Sequence, residues 1–322
     1  MLQSLVSSAQ QLLGDFRRVW QQGRAPALAP KPREARGPVT YGPLRRVQLT
    51  DGVARTLFEE FSEHRARDHG LDETGWLLVG HRKAEEALVL ATLPAGVDYD
   101  AGVGHVWFNS SGQALGSRIV RQTDKRLAIL GVVHTHPGSL RHPSDGDFRG
   151  DSQWVRNLRG QEGIFGIGTA DAPADNGCVA WQPHANVQCL GNLRFSWYTL
   201  RHDDAQYRPI PVEITIGPDL ALPLHPLWPA LETHADRIDR LFRQQAHLTF
   251  EVLGEEHGVT HTCATLVLNL PLAEPGDAVR VLVRNKEVRY LVRRGGQLLE
   301  VDHRDDWIDR GVYLLLAELA AR

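Results

Sequence analysis

The sequence predicts an α/β sandwich, a mixed sheet with flanking helices, followed by a separate C-terminal α+β domain. Three patterns predict it. Between Leu49 and Trp197, segments with a 3.6-residue apolar period interleave with short apolar runs bounded by turn residues, as helices packed on a mixed sheet require. Between Asp203 and Pro229, prolines at 209, 211, 218, 223, 226 and 229 mark a boundary. Beyond it come one helical pattern, several short strands and a closing helical pattern. The resulting division is an N-terminal helix over 1–24, a Pro-rich linker over 25–39, a first domain over 40–202, a boundary over 203–229 and a second domain over 230–322.

Residues 2–20 carry Leu5, Leu12, Leu13, Phe16, Val19 and Trp20 on one side of a helix. Its stripe packs on its own domain, self-associates or docks a partner helix; few basic residues precede Arg17, which disfavours a membrane surface. From Leu49 the pattern is helical, with Thr50 or Asp51 as cap, Val53, Leu57, Phe58 and Phe61 inward, and Gly70 as stop. Strands follow at about 75–80, 87–93 and 104–108, then a helix near 113–125 and an apolar strand over 127–133. After Ser144 a helix runs to about 158, with strands near 164–169, 178–181 and 188–197. In the second domain a helix over about 231–245 precedes strands near 248–253, 264–270, 279–283, 288–292 and 298–301. Asn285-Lys286 and Gly295-Gly296 are the turns of this meander, and a helix over about 305–321 closes the chain.

The chain has 322 residues and 42% hydrophobic content, enough for two domains with sizeable cores. A formal charge of -3 gives no broad basic footprint for nucleic acid. The three cysteines, Cys178, Cys189 and Cys263, leave an odd thiol and form no C-x-x-C pair, so a reducing cytoplasm is expected. The N-terminal segment has neither a basic leader nor an unbroken apolar run, so no secretory signal or membrane span is expected. Lysine stands only at 31, 83, 125 and 286; an arginine-rich composition of this kind goes with a GC-rich genome.

Chemistry concentrates in Gly131–Asp147, G-V-V-H-T-H-P-G-S-L-R-H-P-S-D-G-D. His134 and His136 are two apart on a strand, so their imidazoles project from one face. Pro137 ends the strand, and Ser144 and Asp147 lie one turn apart at a helix start, where Asp147 can swing back as a third ligand. Two histidines and a carboxylate around an open fourth position form the ligand set of a hydrolytic zinc site. Glu73, in D-E-T-G-W-L-L-V-G at the head of a strand, is the candidate base. Each residue also has a plainer role: strand histidines, a Ser-capped helix with an acid in its first turn, and a turn glutamate.

His134-x-His136-Pro137, six residues, then Ser144-x-x-Asp147, preceded by Glu73-x-Gly75-x-Leu77, resembles the JAMM (MPN-plus) metalloproteases, which include deubiquitinases. The resemblance covers about residues 40–200 and implies an MPN-type fold, a Zn2+ cofactor on His134, His136 and Asp147, and Glu73 and Ser144 as catalytic residues. It implies an isopeptidase or peptidase acting on a ubiquitin-like protein, with substrate-shaping insertions at 94–104 and 149–163. The chain is similar to the JAMM enzymes of bacterial ubiquitin-like conjugation pathways, some linked to phage defence, with E1-like and E2-like proteins as partners. The alternative is a RadC-like or inactive MPN-type scaffold without protease activity; Glu73 in its E-x-G-x-L setting disfavours the scaffold, and balanced charge disfavours a DNA partner. A platform with a structural metal fits an open three-ligand site less well. Glu256, His257, His261 and Cys263 are metal-binding types without a known spacing, in what reads as a hairpin loop. His105 and His142 flank the main motif as surface or substrate-contacting residues.

Overall fold

R-V-Q-L-T alternates polar and apolar residues, and it forms the first strand, β1 (Arg46–Thr50), with Val47 and Leu49 fully buried. The sequence reading starts a helix at Leu49; the chain first completes this strand and turns helical at Asp51. The computed structural model describes residues 39–96, 110–173, 180–253, 264–284, 287–302, 305 and 307–321. The N-terminal helix, nearly all of the Pro-rich linker, the strand expected over 104–108, His105, the Asn285-Lys286 turn and the Glu256, His257, His261 and Cys263 cluster lie outside them. Tyr41–Arg322 form one structural unit.

Helix α1 (Asp51–Arg65) is capped by Thr50, whose hydroxyl accepts from Val53 N at 3.2 Å, and it buries Val53, Leu57, Phe58 and Phe61. It ends at Arg65, before Gly70. Gly70 serves the turn that follows: a Cβ there would stand 2.5 Å from the Arg65 carbonyl oxygen. Next come β2 (Gly75–Arg82), β3 (Glu86–Pro94), α2 (Ser110–Val120), β4 (Ala128–Thr135), α3 (Asp145–Trp154) and β5 (Glu162–Thr169). The run expected as one strand over 188–197 is a hairpin, β7 (Val187–Leu190) and β8 (Leu193–Arg201), preceded by β6 (Trp181–His184). Gly191 has φ 58°, the left-handed conformation that a two-residue Gly-Asn turn needs, so the strand folds back there.

The Pro-rich stretch contributes structure of its own. It holds β9 (Arg208–Pro209), β10 (Val212–Thr215) and a 3-10 turn at Leu222–Leu227 that leads into α4 (Trp228–Gln244). Ten strands form one mixed sheet in the order β10, β1, β3, β2, β4, β5, β8, β7, β6, with β9 paired to β8. β1 runs parallel to both β3 and β10, β4 parallel to β5, and β2 antiparallel to β3 and β4. The separate C-terminal sheet is an antiparallel meander of β11 (Thr249–Leu253), β12 (Thr265–Pro271), β13 (Ala278–Arg284), β14 (Glu287–Arg294) and β15 (Gln297–Val301), closed by α5 (Ile308–Ala321). Gly295 and Gly296, both at positive φ, turn β14 into β15.

One core lies under α1, where Phe61, Trp76, Phe195 and Trp197 are almost fully buried and Phe58 meets Phe195 edge-on at 5.0 Å. A larger core joins Leu77, Leu93, Leu115 and Phe165 of the first region to Trp228 and Leu231 of α4, Val281 and Tyr290 of the second sheet, and Ile308 of α5. Helix α4 is the connector. Its Trp228 packs on Gly116 of α2, Asp239 pairs with Arg118, and Phe242 lies 4.2 Å beneath the same guanidinium.

Candidate metal centre

Three strands fix the site. Strand β4 lies between β2 and β5, with Gly75 opposite His134 on one side and Ile167 opposite it on the other. The pairing is close because Gly131 has no side chain: a Cβ there would fall 1.7 Å from the Ile164 carbonyl oxygen. Past the regular ladder, Thr135 N donates to Thr74 O at 2.8 Å, Thr74 N donates to Thr135 Oγ1 at 2.9 Å, and His136 N donates to Gly168 O at 2.8 Å. Glu73 directly precedes Thr74 at this end of β2.

His134 and His136 are both buried, and their Nε2 atoms approach to 3.0 Å. Asp147 presents Oδ1 at 3.3 Å from His134 Nε2 and Oδ2 at 3.6 Å from His136 Nε2. One ligand atom from each of the three residues lies within 4.8 Å of the others. His136 Nδ1 is 2.8 Å from the Leu140 carbonyl oxygen. A carbonyl only accepts, so Nδ1 carries the proton and donates, which leaves the Nε2 lone pair facing Asp147 and His134.

Asp147 is held by the helix start that its own sequence creates. Ser144 caps α3: its Oγ accepts from Asp147 N at 3.2 Å, while Ser144 N donates to Asp147 Oδ2 at 2.6 Å. The Ser144 hydroxyl also donates to Asp147 Oδ2 at 2.8 Å. Both plain and functional readings of Ser144-x-x-Asp147 therefore use the same atoms: the cap orients the carboxylate that faces the imidazoles.

Burial opposes the charge on Asp147, but the two imidazoles and the Ser144 amide outweigh it and hold its pKa far below the ordinary value. Burial likewise lowers His136, yet Asp147, the Leu140 carbonyl and Glu73 together raise its pKa. The last contribution puts the Glu73 carboxylate within electrostatic reach of the imidazole. Glu73 itself is buried.

Sequence reasoning missed two further polar groups. Asp151 follows Asp147 by four residues on α3, and Tyr207 Oη donates to its Oδ2 at 2.7 Å. Burial raises Asp151 to about 6, against the pull of Tyr207 and His134. Burial, with the neighbouring Asp151, raises Tyr207 and keeps it a proton donor. Tyr207 is locked among Phe148, Phe165 and Tyr198, with its ring centroid 5.4 Å from that of Phe165. The helical i, i+4 spacing could have revealed Asp151; no local pattern marks Tyr207, which comes from the Pro-rich stretch. His142 is exposed beside Pro143 and does not join the cluster.

The fold and this side-chain cluster define an α/β domain that brings two imidazoles and a carboxylate together at a sheet end. Residues 54–183 match the sequence profile of a family described as prokaryotic homologs of the JAB domain, and this part of the chain is a JAB/MPN-like domain. The chain is also similar to the solution structure of protein DSY2949 from Desulfitobacterium hafniense, at 16% identity and a TM-score of 0.35, over 53% of this chain and 94% of that one. No curated protein matches it. Among the described residues no helix is long and apolar enough to cross a membrane.

Proposed function

We propose that the chain is a zinc-dependent isopeptidase or peptidase that removes or processes a ubiquitin-like protein. The observation that carries this reading is the approach of His134 Nε2, His136 Nε2 and an Asp147 oxygen to within 4.8 Å of one another, with Glu73 close enough to act on the charge of His136. The donor set fits zinc: two imidazole nitrogens, one of them fixed in its tautomer by Leu140, and one ionised carboxylate. His134, His136 and Asp147 would hold the ion. The chemistry supplied by zinc bound there is Lewis acidity, which polarises the scissile carbonyl and brings the pKa of water toward ~7.

The chain's own groups do the rest. The Glu73 carboxylate takes a proton from the attacking water and delivers it to the leaving amine nitrogen. The Ser144 hydroxyl turns from Asp147 toward the reacting carbonyl and donates to its developing negative charge, a contribution of about 3 kcal/mol for such donors. No acyl-enzyme forms, so cysteine-directed inhibitors leave the activity intact. The substrate class follows from the motif's resemblance to deubiquitinating relatives, and E1-like and E2-like proteins of a bacterial conjugation pathway, with antiviral defence as its setting, are the partners this reading implies.

The test incubates the purified chain with ubiquitin-like precursors and conjugates, with added zinc or with a chelator. Cleavage should require zinc, and Glu73→Ala should lose it by about 100-fold or more while still binding the metal. Chelator-resistant cleavage, or full activity in Glu73→Ala, would remove this mechanism. A chain that binds zinc and cleaves nothing would instead be the scaffold.

A further inference from the structure

Asp147 reaches the paired imidazoles from α3. The Ser144 cap orients its carboxylate within that helix, but a cap does not set where the helix lies on the sheet, and no residue of α3 is fully buried. Asp147, Phe148 and Asp151 fall within roughly 100° of the helix circumference, so one face carries the ligand carboxylate, a ring and a second carboxylate. Asp147 turns to His134 and His136. The other two are both met by Tyr207: its ring meets that of Phe148 edge-on at 6.0 Å, and its hydroxyl donates to Asp151 Oδ2 at 2.7 Å. The hydrolytic reading uses neither Asp151 nor Tyr207.

Tyr207 is itself fixed to the sheet face from which the imidazoles project. Val132 and His134 share that face of β4, and Phe165 of β5 stands opposite Val132 in the ladder. The Tyr207 ring centroid lies 5.4 Å from that of Phe165 and 6.5 Å from that of Tyr198. The residue after it, Arg208, is paired with Thr199 between β9 and β8, and its guanidinium donates to the buried Glu162 carboxylate at 2.8 Å. Glu162 also accepts from Leu44 N at 2.7 Å and from Thr199 Oγ1 at 2.9 Å. Tyr207 is therefore a fixed point against which α3 rests, and it lies beyond the residues matched to the JAB family. Asp151 is close enough to the metal centre for His134 and Asp147 to act on its charge.

We propose that Tyr207 is a positioning residue of the metal centre: it holds the turn of α3 between Asp147 and Asp151, so that the Asp147 carboxylate meets the imidazoles before any ion arrives. It acts through Asp151. The hydroxyl fixes one end of the turn, and Asp147 stands at the other. A ligand already held in place loses less freedom when the metal binds, and removing such outer partners commonly costs about 10- to 100-fold in affinity. The inference rests on the metal centre of the function proposed above and names a residue that sets its affinity.

The test is the zinc affinity of the full-length chain, measured by competition with a chromogenic chelator and without substrate. Tyr207→Phe keeps the ring and removes only the hydroxyl; it should weaken zinc binding by about tenfold or more. The same change should cost as much in an Asp151→Asn background, where an amide oxygen still accepts the hydrogen bond, and little in an Asp151→Ala background, where nothing does. Comparing within each background cancels the effect of the Asp151 charge itself. Denaturant melts of the zinc-free variants read stability separately: a hydroxyl that only supports the fold lowers the midpoint and leaves the affinity of the folded chain unchanged. That result overturns the proposal, as does a loss equal in all three backgrounds or one that vanishes with Asp151→Asn. Zinc binding that depends on Tyr207 in a chain that cleaves nothing would support this role and remove the peptidase reading; zinc-dependent cleavage with an affinity indifferent to Tyr207 would do the reverse.

Discussion

Asp151 sits one helical turn beyond Asp147, and its environment favours the uncharged form. Its folded value of about 6 lies above the ordinary 3.8, so the folded chain holds this proton more tightly than the unfolded chain does. The stability so gained is complete below the ordinary value and is lost as pH rises through about 6, with a ceiling of ~3 kcal/mol. Asp151→Asn keeps an acceptor for Tyr207 and removes the charge. The variant should melt several degrees above the wild type at about pH 8 and close to it at about pH 4.5, when both are zinc-free. The same gain at both pH values would show that the carboxyl is not buried as described. His136 shifts upward as well, so protons compete with zinc from above its ordinary pKa; stabilisation of the zinc-free fold by the charged ring is full below that value and fades as pH rises through the shifted one. Zinc affinity, measured by competition with a chromogenic chelator, should therefore fall as pH drops into this window. A flat affinity would contradict the closeness of Asp147 and Glu73 to this imidazole. At this scale the sequence was informative wherever geometry is local: a strand period of two aligns His134 with His136, and a capping pattern aims Asp147. The Leu140 carbonyl and the Tyr207 hydroxyl leave no such trace, because one is backbone and the other arrives from a distant segment.

Strand β4 reaches its neighbours through a glycine whose absent side chain the ladder requires. Gly131→Ala would place a methyl group 1.7 Å from the Ile164 carbonyl oxygen, so β4 and β5 must separate or the variant must fail to fold. The expected outcome is a loss of several kcal/mol in stability and, in any folded fraction, weaker zinc binding, because His134 is paired directly across to β5. Denaturant melts and zinc titration read both effects; a variant with unchanged stability would refute the close approach. Apolar period and capping residues located α1, β2, β3, β4 and α3. They were weaker where an element is short or shares its residues with a neighbour's signal. The signal of β1 merges with that of the helix cap at Thr50 and Asp51, and the hairpin at Gly191 has the apolar pattern of a single strand. β9 and β10 lay among prolines, which fit an edge because Pro209 and Pro211 need donate no ladder bond. Long-range parallel pairing of β10 with β1 has no local sequence signature at all.

Across the molecule, the C-terminal sheet is separate in hydrogen bonding but not in its core. Leu77 and Phe165 of the first sheet share one cluster of buried side chains with Trp228, Val281, Tyr290 and Ile308. Helix α4 seals this cluster. A domain that buries its apolar surface against a neighbour does not unfold independently of it, since exposing either half costs the transfer free energy of the shared face, about 25 cal/mol per Å². Tyr41–Arg322 should therefore melt in a single transition: far-UV circular dichroism, which reports both sheets, and tryptophan fluorescence, which the first region dominates, should coincide. Shortening the chain at residue 202 should give an aggregating product rather than a smaller folded enzyme, because it removes β10 from the sheet edge and α4 from the face of α2. Two resolved transitions in the full chain, or a soluble and cooperatively folding 1–202 fragment, would mean that the shared cluster contributes little and that the metal centre stands without its C-terminal support.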